Sequence, residues 1–474
     1  MPDRKIKICD HIIEGGIILL IIFSPLAFGS VEPWAYSIIE IMVIFLTLIW
    51  LLKIWIKNSA KNRDAKLSTF SLDYIRTPLN LPILIFLGFI LLQLIPLPEP
   101  VLKVVSPNTH EIYVKSQKPI NQIRNEQLSP EKSIGSRSLS LNPYATKNAL
   151  YKIVAYFLLF FLIVNNVNSF KNIKRILTSI VIFAFSLSLF SIIQQLTWNG
   201  KIYWFRELRY GGGPFGPYVN HNHYAGYMEM VIPLAIGLIF INKDINKRLM
   251  LGFMTVVMAA TVFMSLSRSG MVSLICSLVF LSLMLSSAKN PKHSFPIVSL
   301  IVIGLLLFLA YIGILSDSLN RILTLTEPDK LLQEMRPKVW KDSLNIVKDF
   351  PILGSGLGTY ENIFPKYKSF SQQVIYLYTH NDYLQALTES GALGFSIILW
   401  GIITFSITIF RYVKKDSMTL CLSASVLAIG IHSFFDFNLH IPANAVILSI
   451  IIGLLFAWNY TSGYGKIAAD KNRL

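Results

Sequence analysis

The sequence predicts an all-α polytopic membrane protein with about twelve transmembrane helices. Of its 474 residues, 53% are hydrophobic and only 15% are charged, whereas soluble domains carry about 25% charged residues. Apolar runs of about 18–22 residues recur along the chain, the length at which a helix crosses a hydrocarbon core of about 30 Å. Because backbone polar groups in lipid need internal partners, these runs must be helices.

The predicted helices are distributed along the whole chain. They centre on residues 12–28, 34–56, 79–95, 149–167, 173–197, 224–241, 249–266, 271–287, 295–315, 391–412, 420–435 and 442–458. A basic segment precedes the first run without a convincing cleavage site after it, so we interpret that run as a retained span.

Lysine and arginine are concentrated in alternate connections between the apolar runs. The cation-rich connections lie around residues 53–76, 171–175, 243–248, 289–292, 411–415 and 466–473, while 30–33, 265–270 and 436–441 carry one cation between them. The positive-inside rule therefore places both termini in the cytoplasm and requires an even number of spans. This distribution explains the net charge of +17 without a nucleic-acid partner.

Three large connections then lie outside the cytoplasm, at residues 97–147, 198–223 and 316–378. We predict nine membrane helices in residues 1–315, a large outer loop with short helices at 316–378, and three further membrane helices in 379–474. The last loop is the expected cover of an active site.

The short outer connection 265–270 contains one cation, Arg268, among serines. One interpretation is a side chain that extends to the membrane interface. The other is an anion contact, since a guanidinium group matches phosphate oxygens well. We favour the anion contact.

In the 198–223 connection, Arg206 and Arg209 stand among aromatic residues beside a run of three glycines. The aromatic residues fit an interfacial belt, and the two arginines also fit a clamp for a diphosphate. Both interpretations stay open. His221 and His223 lack a third ligand at a suitable spacing, so no metal site is expected.

The 316–378 loop is predicted to contain a helix that begins at Arg336-Pro337, because proline is favoured in the first helical turn. Arg336 would lie at the positive end of that helix, where anions are favoured. An apolar stripe follows at helical spacing: Val339, Trp340, Leu344 and Val347.

Three glycines, Gly354, Gly356 and Gly358, come after this helix. Their spacing suggests a nucleotide-binding loop, but no strand precedes them and no βαβ unit surrounds them. A tight turn is therefore predicted.

His380 is the candidate catalytic residue, since it precedes a predicted span at the outer surface. Thr379 and Asp382 resemble a capping box, which predicts that His380 lies in the first turn of a helix. Imidazole is the side chain best suited to accept a proton at neutral pH; the alternative is a capping or packing role. Glu389 falls on the opposite side of that helix, so Asp436 or His440 is the more plausible orienting group.

The spacing His380-Asn381, nine residues, Gly391, two residues, Gly394 resembles the signature of bacterial O-antigen ligases and their relatives, the O-unit polymerases and protein O-oligosaccharyltransferases. The resemblance covers about residues 220–442. Two further segments support it: Ser267-Arg268-Ser269-Gly270, and the run of Arg336, Trp340, Pro351 and the three glycines.

This resemblance implies a GT-C-like fold in the bacterial inner membrane and an active site on the periplasmic face. It implies transfer of a glycan from undecaprenyl diphosphate to an acceptor hydroxyl, with no cofactor. His380 would deprotonate or orient the acceptor, and arginines would bind the diphosphate. For the diphosphate, Arg268 and Arg336 match family positions best, while Arg206 and Arg209 lie where the family often carries basic residues but do not align uniquely. The supporting residues that the resemblance implies are Asn381, Asp382, Gly391, Gly394 and Trp340.

A lipid diphosphate is already a good leaving group, so a base and several cations suffice and no metal is required. Direct displacement would invert the anomeric carbon. The expected acceptor is lipid A-core; the alternatives are another lipid-linked repeat unit or a protein hydroxyl. A transporter is the alternative outside enzymes, but transporters place substrate-coupling charges near the membrane midplane. The span interiors of this chain are nearly free of charge, with Glu40 and Glu229 as the exceptions.

Overall fold

The structure is a computed structural model that describes residues 2–61, 77–123, 135–208, 213–286, 335–371, 375–413 and 416–462. The helices run over Pro2–Leu26 (α1), Pro33–Lys61 (α2), Asn80–Leu94 (α3), Glu99–Val105 (α4), Pro107–Ile123 (α5), Pro143–Asn166 (α6), Phe170–Leu196 (α7), His221–Ile241 (α8), Ile245–Met264 (α9), Arg268–Ser286 (α10), Arg336–Asp349 (α11), Tyr360–Tyr367 (α12), Asp382–Val413 (α13), Ser417–His432 (α14) and Pro442–Thr461 (α15). A two-residue ladder pairs Pro96–Leu97 (β1) with Arg137–Ser138 (β2) in antiparallel register. The all-α prediction is confirmed.

Among the described residues, eight helices are long and apolar enough to cross a membrane: α2, α6, α7, α8, α9, α10, α13 and α15. Two shorter apolar helices, α3 and α14, coincide with further predicted spans, and α1 covers most of the first predicted span. The predicted span at 295–315 lies outside the described residues. The chain is therefore a multi-pass membrane protein, while the count of twelve and the GT-C-like arrangement stay predictions.

The helices form two compact units. Unit 1 comprises Met1–Thr77, Ala155–Glu327 and Ile407–Leu474, and unit 2 comprises Pro78–Val154 and Pro328–Ser406. The boundary between them falls within α6 and α13. The division at residues 315 and 378 predicted from the sequence stays a prediction.

Unit 1 is built around α8, in which every residue from Asn222 to Ile239 is buried. This helix packs against α7, α9, α10 and α14. Close approach depends on small residues, as is common between membrane helices: a Cβ atom at Gly237 would lie 2.7 Å from Met418 Sδ. The apolar surface of α8 is thus covered by protein rather than by lipid.

Ion pairs and hydrogen bonds join the helices of unit 1 at the end where α7 begins and α8 finishes. Arg175 donates to Glu14 over 2.7 Å, and Lys174 donates to Asn242 over 2.7 Å. The opposite end of unit 1 carries the connections α1–α2, α7–α8, α9–α10 and α14–α15. These are the connections that the charge distribution predicts to lie outside the cytoplasm; their orientation in the membrane stays a prediction.

Unit 2 has a core between α11 and α12, formed by Val339, Ile346, Phe350, Tyr360, Ile363 and Phe364. The apolar stripe predicted for α11 lies only partly against this core. Leu344 is 48% exposed, whereas Ser343 is buried and donates to Val339 O over 2.7 Å. The face that α12 covers follows Val339, Ser343 and Ile346, and the polar Ser343 is accommodated there because its hydroxyl is bonded within the helix.

Candidate active site

His380 lies in unit 2, immediately before α13, and is half-buried. Its φ is +56°, in the left-handed region that costs a non-glycine residue about 1–2 kcal/mol. Backbone strain of this kind persists only where the surrounding structure imposes it, and it is concentrated at functional sites. The contacts that impose it here are made by the two flanking residues.

Thr379 is held on both sides of its backbone. Its N–H donates to Gln385 Oε1 over 2.8 Å, and the indole N–H of Trp340 donates to its carbonyl over 3.0 Å. Its hydroxyl donates to Asn381 O over 2.6 Å. Because Thr379 is also fully buried, the backbone entering His380 cannot rotate without losing these bonds.

Asn381 provides the cap of α13. Its Oδ1 accepts the N–H of Leu384 over 3.0 Å, and its own N–H donates to Thr379 Oγ1 over 3.1 Å. The predicted capping box of Thr379 and Asp382 is therefore wrong. His380 precedes the first turn rather than lying in it, because the asparagine side chain already satisfies the amide that caps the helix.

Arg336 is the first residue of α11, and Pro337 occupies the first turn, which confirms the predicted helix start. Arg336 and Trp340 are four residues apart and therefore share one face of the helix. Trp340 contacts Thr379, the neighbour of His380. Arg336 thus lies about one helical turn of 5.4 Å from the side chain that fixes the His380 segment.

The three-glycine segment forms the predicted tight turn, with φ values of +71°, +110° and +76° at Gly354, Gly356 and Gly358. The carboxylate of Glu389, 1% exposed, accepts the N–H of Gly358 over 2.8 Å and the N–H of Tyr360 over 3.2 Å. Burial raises the pKa of the Tyr360 phenol above its usual range. A loop that carries no catalytic side chain is thus fixed by one buried charge.

Glu389 also reaches His380 indirectly. It accepts Gln385 Nε2 over 2.8 Å, and the other end of the Gln385 amide accepts Thr379 N–H. From the sequence, Glu389 was expected on the opposite side of the helix from His380 and was not a candidate to orient the imidazole. The connection runs instead through a glutamine one turn earlier on α13.

Gln93 of α3 is a second buried amide that sequence analysis missed. Its Nε2 donates to Leu353 O over 2.8 Å and to Glu389 O over 3.0 Å, and its Oε1 accepts Leu357 N–H over 3.1 Å. The signal was present, because a polar side chain within an apolar span is a functional candidate by itself.

Gly391 interrupts α13 with φ +61° and ψ −170°. The N–H of Ala392 donates to Pro351 O over 2.8 Å, and that of Leu393 donates to Ile352 O over 3.0 Å. A Cβ atom at Gly391 would lie 2.4 Å from the Ile352 carbonyl. This glycine is therefore required by its backbone conformation and by the strand of chain that packs on it.

Gly394 is required by close packing alone. A Cβ atom there would lie 2.6 Å from the ring of Phe89 on α3. Both glycines of the motif thus have structural explanations within unit 2, which also contains His380, Asn381 and the buried Asp382.

Arg268 lies in unit 1 and is the first residue of α10. Ser267 caps this helix, since its Oγ accepts the N–H of Gly270 over 3.2 Å, and Leu266 before it has φ +58°. Arg268 is half-buried. The predicted outer turn is therefore shorter than expected, and the guanidinium group projects from a helix N-terminus, where an anion is favoured.

Arg206 also lies in unit 1, on a hairpin whose turn residues Tyr203 and Trp204 have positive φ. It forms an ion pair with Glu32, and its guanidinium lies 3.7 Å from the ring centre of Phe28. Its charge is therefore matched by a carboxylate in this structure. Arg209 lies outside the described residues, and the diphosphate role of both arginines stays a prediction.

Asp436, one of the two groups predicted to orient His380, is fully buried in unit 1. It accepts Asn222 Nδ2 over 2.7 Å and the N–H of Phe437 over 2.9 Å. An orienting role for Asp436 or His440 stays a prediction. Among the described residues, no group of three or more histidine, cysteine, aspartate or glutamate side chains is placed to hold a metal ion.

Comparison with known proteins yields one family. Residues 253–399 match the family model described as O-antigen ligase, and no curated protein matches the chain. The matched segment contains His380, Arg268, Arg336 and the supporting residues, but neither Arg206 and Arg209 nor the two candidate orienting groups, Asp436 and His440. It confirms the resemblance stated from the sequence and supports a membrane glycosyltransferase activity of the ligase or polymerase kind.

Proposed function

We propose that this chain transfers a glycan from undecaprenyl diphosphate to an acceptor hydroxyl at the periplasmic face of the bacterial inner membrane, because residues 253–399 match the O-antigen ligase family model. The proposed acceptor is lipid A-core, and the reaction needs no metal or other cofactor. The observation that carries the proposal is the fixed, strained backbone of His380 within the matched domain.

His380 is the proposed base. The hydrogen bonds at Thr379 and the cap at Asn381 hold its backbone in a conformation that a free chain would leave. Imidazole is the side chain best suited to accept the proton of an acceptor hydroxyl at physiological pH. Preorganisation of this kind reduces the entropy lost when the acceptor and the base are brought together.

Arg268 and Arg336 are the proposed diphosphate ligands. Each is the first residue of a helix, where the helix dipole adds to the charge of the guanidinium group. A guanidinium group donates two parallel hydrogen bonds to phosphate oxygens, and it keeps its positive charge at any physiological pH.

In the proposed reaction the acceptor oxygen loses its proton to His380 and attacks the anomeric carbon. The bond between that carbon and the diphosphate oxygen breaks, and the electron pair leaves with the diphosphate. The arginines stabilise the charge that develops on the leaving group. One displacement inverts the anomeric configuration.

The acceptor is tested by complementation. We expect expression in a strain without its O-antigen ligase to restore long glycan chains on lipid A-core, visible as a ladder on a gel. A strain without its polymerase should keep a single capped repeat. Rescue of only the second strain would instead make this chain a polymerase, and glycosylation of periplasmic proteins in either strain would make it a protein glycosyltransferase.

The catalytic role is tested by His380→Ala, which we expect to abolish transfer without impairing membrane insertion. His110→Ala is the matched control, since His110 lies in unit 2 on α5, outside the His380 segment, with its Nε2 3.0 Å from Glu99 Oε1. Normal transfer by an inserted His380→Ala protein would refute the assignment.

A further inference from the structure

Three polar side chains form a continuous hydrogen-bonded line inside unit 1. Ser269 Oγ lies 2.8 Å from His432 Nε2, and His432 Nδ1 lies 3.1 Å from both carboxylate oxygens of Glu229. The three residues come from α10, α14 and α8. Nothing in the proposed reaction so far uses them.

The three side chains of this line differ in how far they are buried. His432 and Glu229 are 0% exposed, while Ser269 is 8% exposed. Ser269 is therefore the member that a substrate can reach, and the other two can act only through it. It is also in the first turn of α10, directly after Arg268, so a diphosphate bound at that helix N-terminus would come close to its hydroxyl.

The chemistry of the His432–Glu229 pair fits proton transfer better than a role in helix packing alone. An ionisable pair within a membrane span is costly, and apolar residues would hold two helices together as well or better. A carboxylate bound to one imidazole nitrogen fixes the tautomer and stabilises the imidazolium form. In that form the second nitrogen also carries a proton, which it donates to Ser269.

We propose that Ser269, His432 and Glu229 form a relay that protonates the departing diphosphate of the lipid-linked donor. This inference rests on the proposed function and adds a general acid to it. Ser269 is the catalytic group, because it would contact the diphosphate; His432 and Glu229 are positioning residues that act through Ser269.

As the anomeric carbon–oxygen bond breaks, the diphosphate oxygen takes the hydroxyl proton of Ser269, and Ser269 Oγ takes the proton from His432 Nε2. The imidazole of His432 becomes neutral. It keeps the proton on Nδ1, which stays hydrogen-bonded to the Glu229 carboxylate. Solvent returns one proton to the relay after product release, and the proton of the acceptor leaves through His380.

Other charged groups surround the relay. Arg268 on α10 adjoins Ser269, and Asp436, one turn beyond His432, is held by Asn222 and lies 4.0 Å from His223 Nε2. Within the line itself, His432 is the residue that links Ser269 to Glu229. The alkaline limb of activity should therefore follow the coupled His432–Glu229 pair.

The test uses the purified full-length protein in lipid nanodiscs, with an undecaprenyl-diphosphate-linked oligosaccharide as donor and lipid A-core as acceptor. Turnover is measured from pH 6 to pH 9. We expect Ser269→Ala to lower kcat about 100-fold, the scale of general acid catalysis, with little change in the KM for donor. We expect it also to remove the decline of kcat towards alkaline pH.

Two further variants separate proton transfer from a structural role. Ser269→Thr keeps a hydroxyl group and should restore most of the turnover, and Glu229→Gln should shift the alkaline limb to lower pH because it no longer stabilises the imidazolium. Ser273→Ala is the matched control on the same helix. Its hydroxyl is buried and has no hydrogen-bond partner among the described residues, so its loss should change neither kcat nor the pH profile.

Wild-type kcat and an unchanged alkaline limb in a folded Ser269→Ala protein would overturn the relay. Should Ser269→Ala fail to fold, Ser269→Gly, which also lacks a hydroxyl group, takes its place with the same expected loss. Failure of the relay leaves wild-type transfer and the His380→Ala result intact, whereas failure of the proposed function removes both.

Discussion

Replacing Glu389 by glutamine exchanges one carboxylate oxygen for an NH2 group in a side chain that is 1% exposed. The carboxylate accepts three N–H donors, from Gly358, Tyr360 and Gln385, over 2.8, 3.2 and 2.8 Å. A glutamine side chain has one acceptor oxygen and presents an NH2 group in place of the other. At least one of the three donors must then face another donor.

The cost follows from these bonds. A buried donor that loses its acceptor costs about 1–3 kcal/mol, and the remaining bonds lose the extra strength that a charged acceptor gives. We therefore expect Glu389→Gln to destabilise unit 2 by about 2–4 kcal/mol. Because Gln385 then loses its anchor and holds Thr379 less firmly, kcat for glycan transfer should fall as well.

The assay combines thermal unfolding of the purified protein with the rate of glycan transfer. Glu361→Gln is the matched control, since Glu361 lies in the same unit in the first turn of α12 and is exposed. We expect the control to change stability by about 0.5 kcal/mol or less. Equal melting temperature and equal turnover for Glu389→Gln and the control would refute the reasoning.

Three further substitutions test individual contacts. Arg268→Ala should lower kcat/KM for the donor about 10–100-fold, and Arg268→Lys should lower it less because charge is kept; equal activity of all three proteins would exclude Arg268 from donor binding. Trp340→Phe removes the indole N–H bond to Thr379 while keeping an aromatic ring. It should lower kcat about fivefold, the equivalent of about 1 kcal/mol, and an unaltered kcat would show that His380 is held without that bond. Gly391→Ala should prevent formation of a monodisperse protein in size-exclusion chromatography, whereas Gly88→Ala, where no atom lies within 4 Å of the added Cβ, should be tolerated; similar profiles for the two would contradict the packing argument.

The sequence was sufficient where the signal is local. The length and polarity of the apolar runs predicted the helices, and Arg336-Pro337 predicted the start of α11 within one residue. The three glycines predicted a tight turn. Each of these depends on a few consecutive residues and on the backbone preferences of those residues.

Prediction failed where a contact joins residues distant in the chain. Thr379 was assigned the cap of α13 because only its spacing to Asp382 was visible, whereas Asn381 forms the cap while Thr379 is bound by Trp340 and Gln385. Likewise, Gln93 contacts residues about 260 positions away, and no pattern within α3 indicates which ones. The ion pair of Arg206 with Glu32 is of the same kind.

By itself, the amino-acid sequence determined that this chain is helical, that it lies in a membrane, and that His380 is the residue to examine. Those properties follow from hydrophobic burial and from local side-chain chemistry, which are set by composition and spacing. Only the tertiary structure decided that the backbone of His380 is strained and fixed through Thr379, and that Ser269, His432 and Glu229 meet in one line. Such meetings depend on how helices pack, and packing is decided by the fit of whole surfaces rather than by any short run of residues.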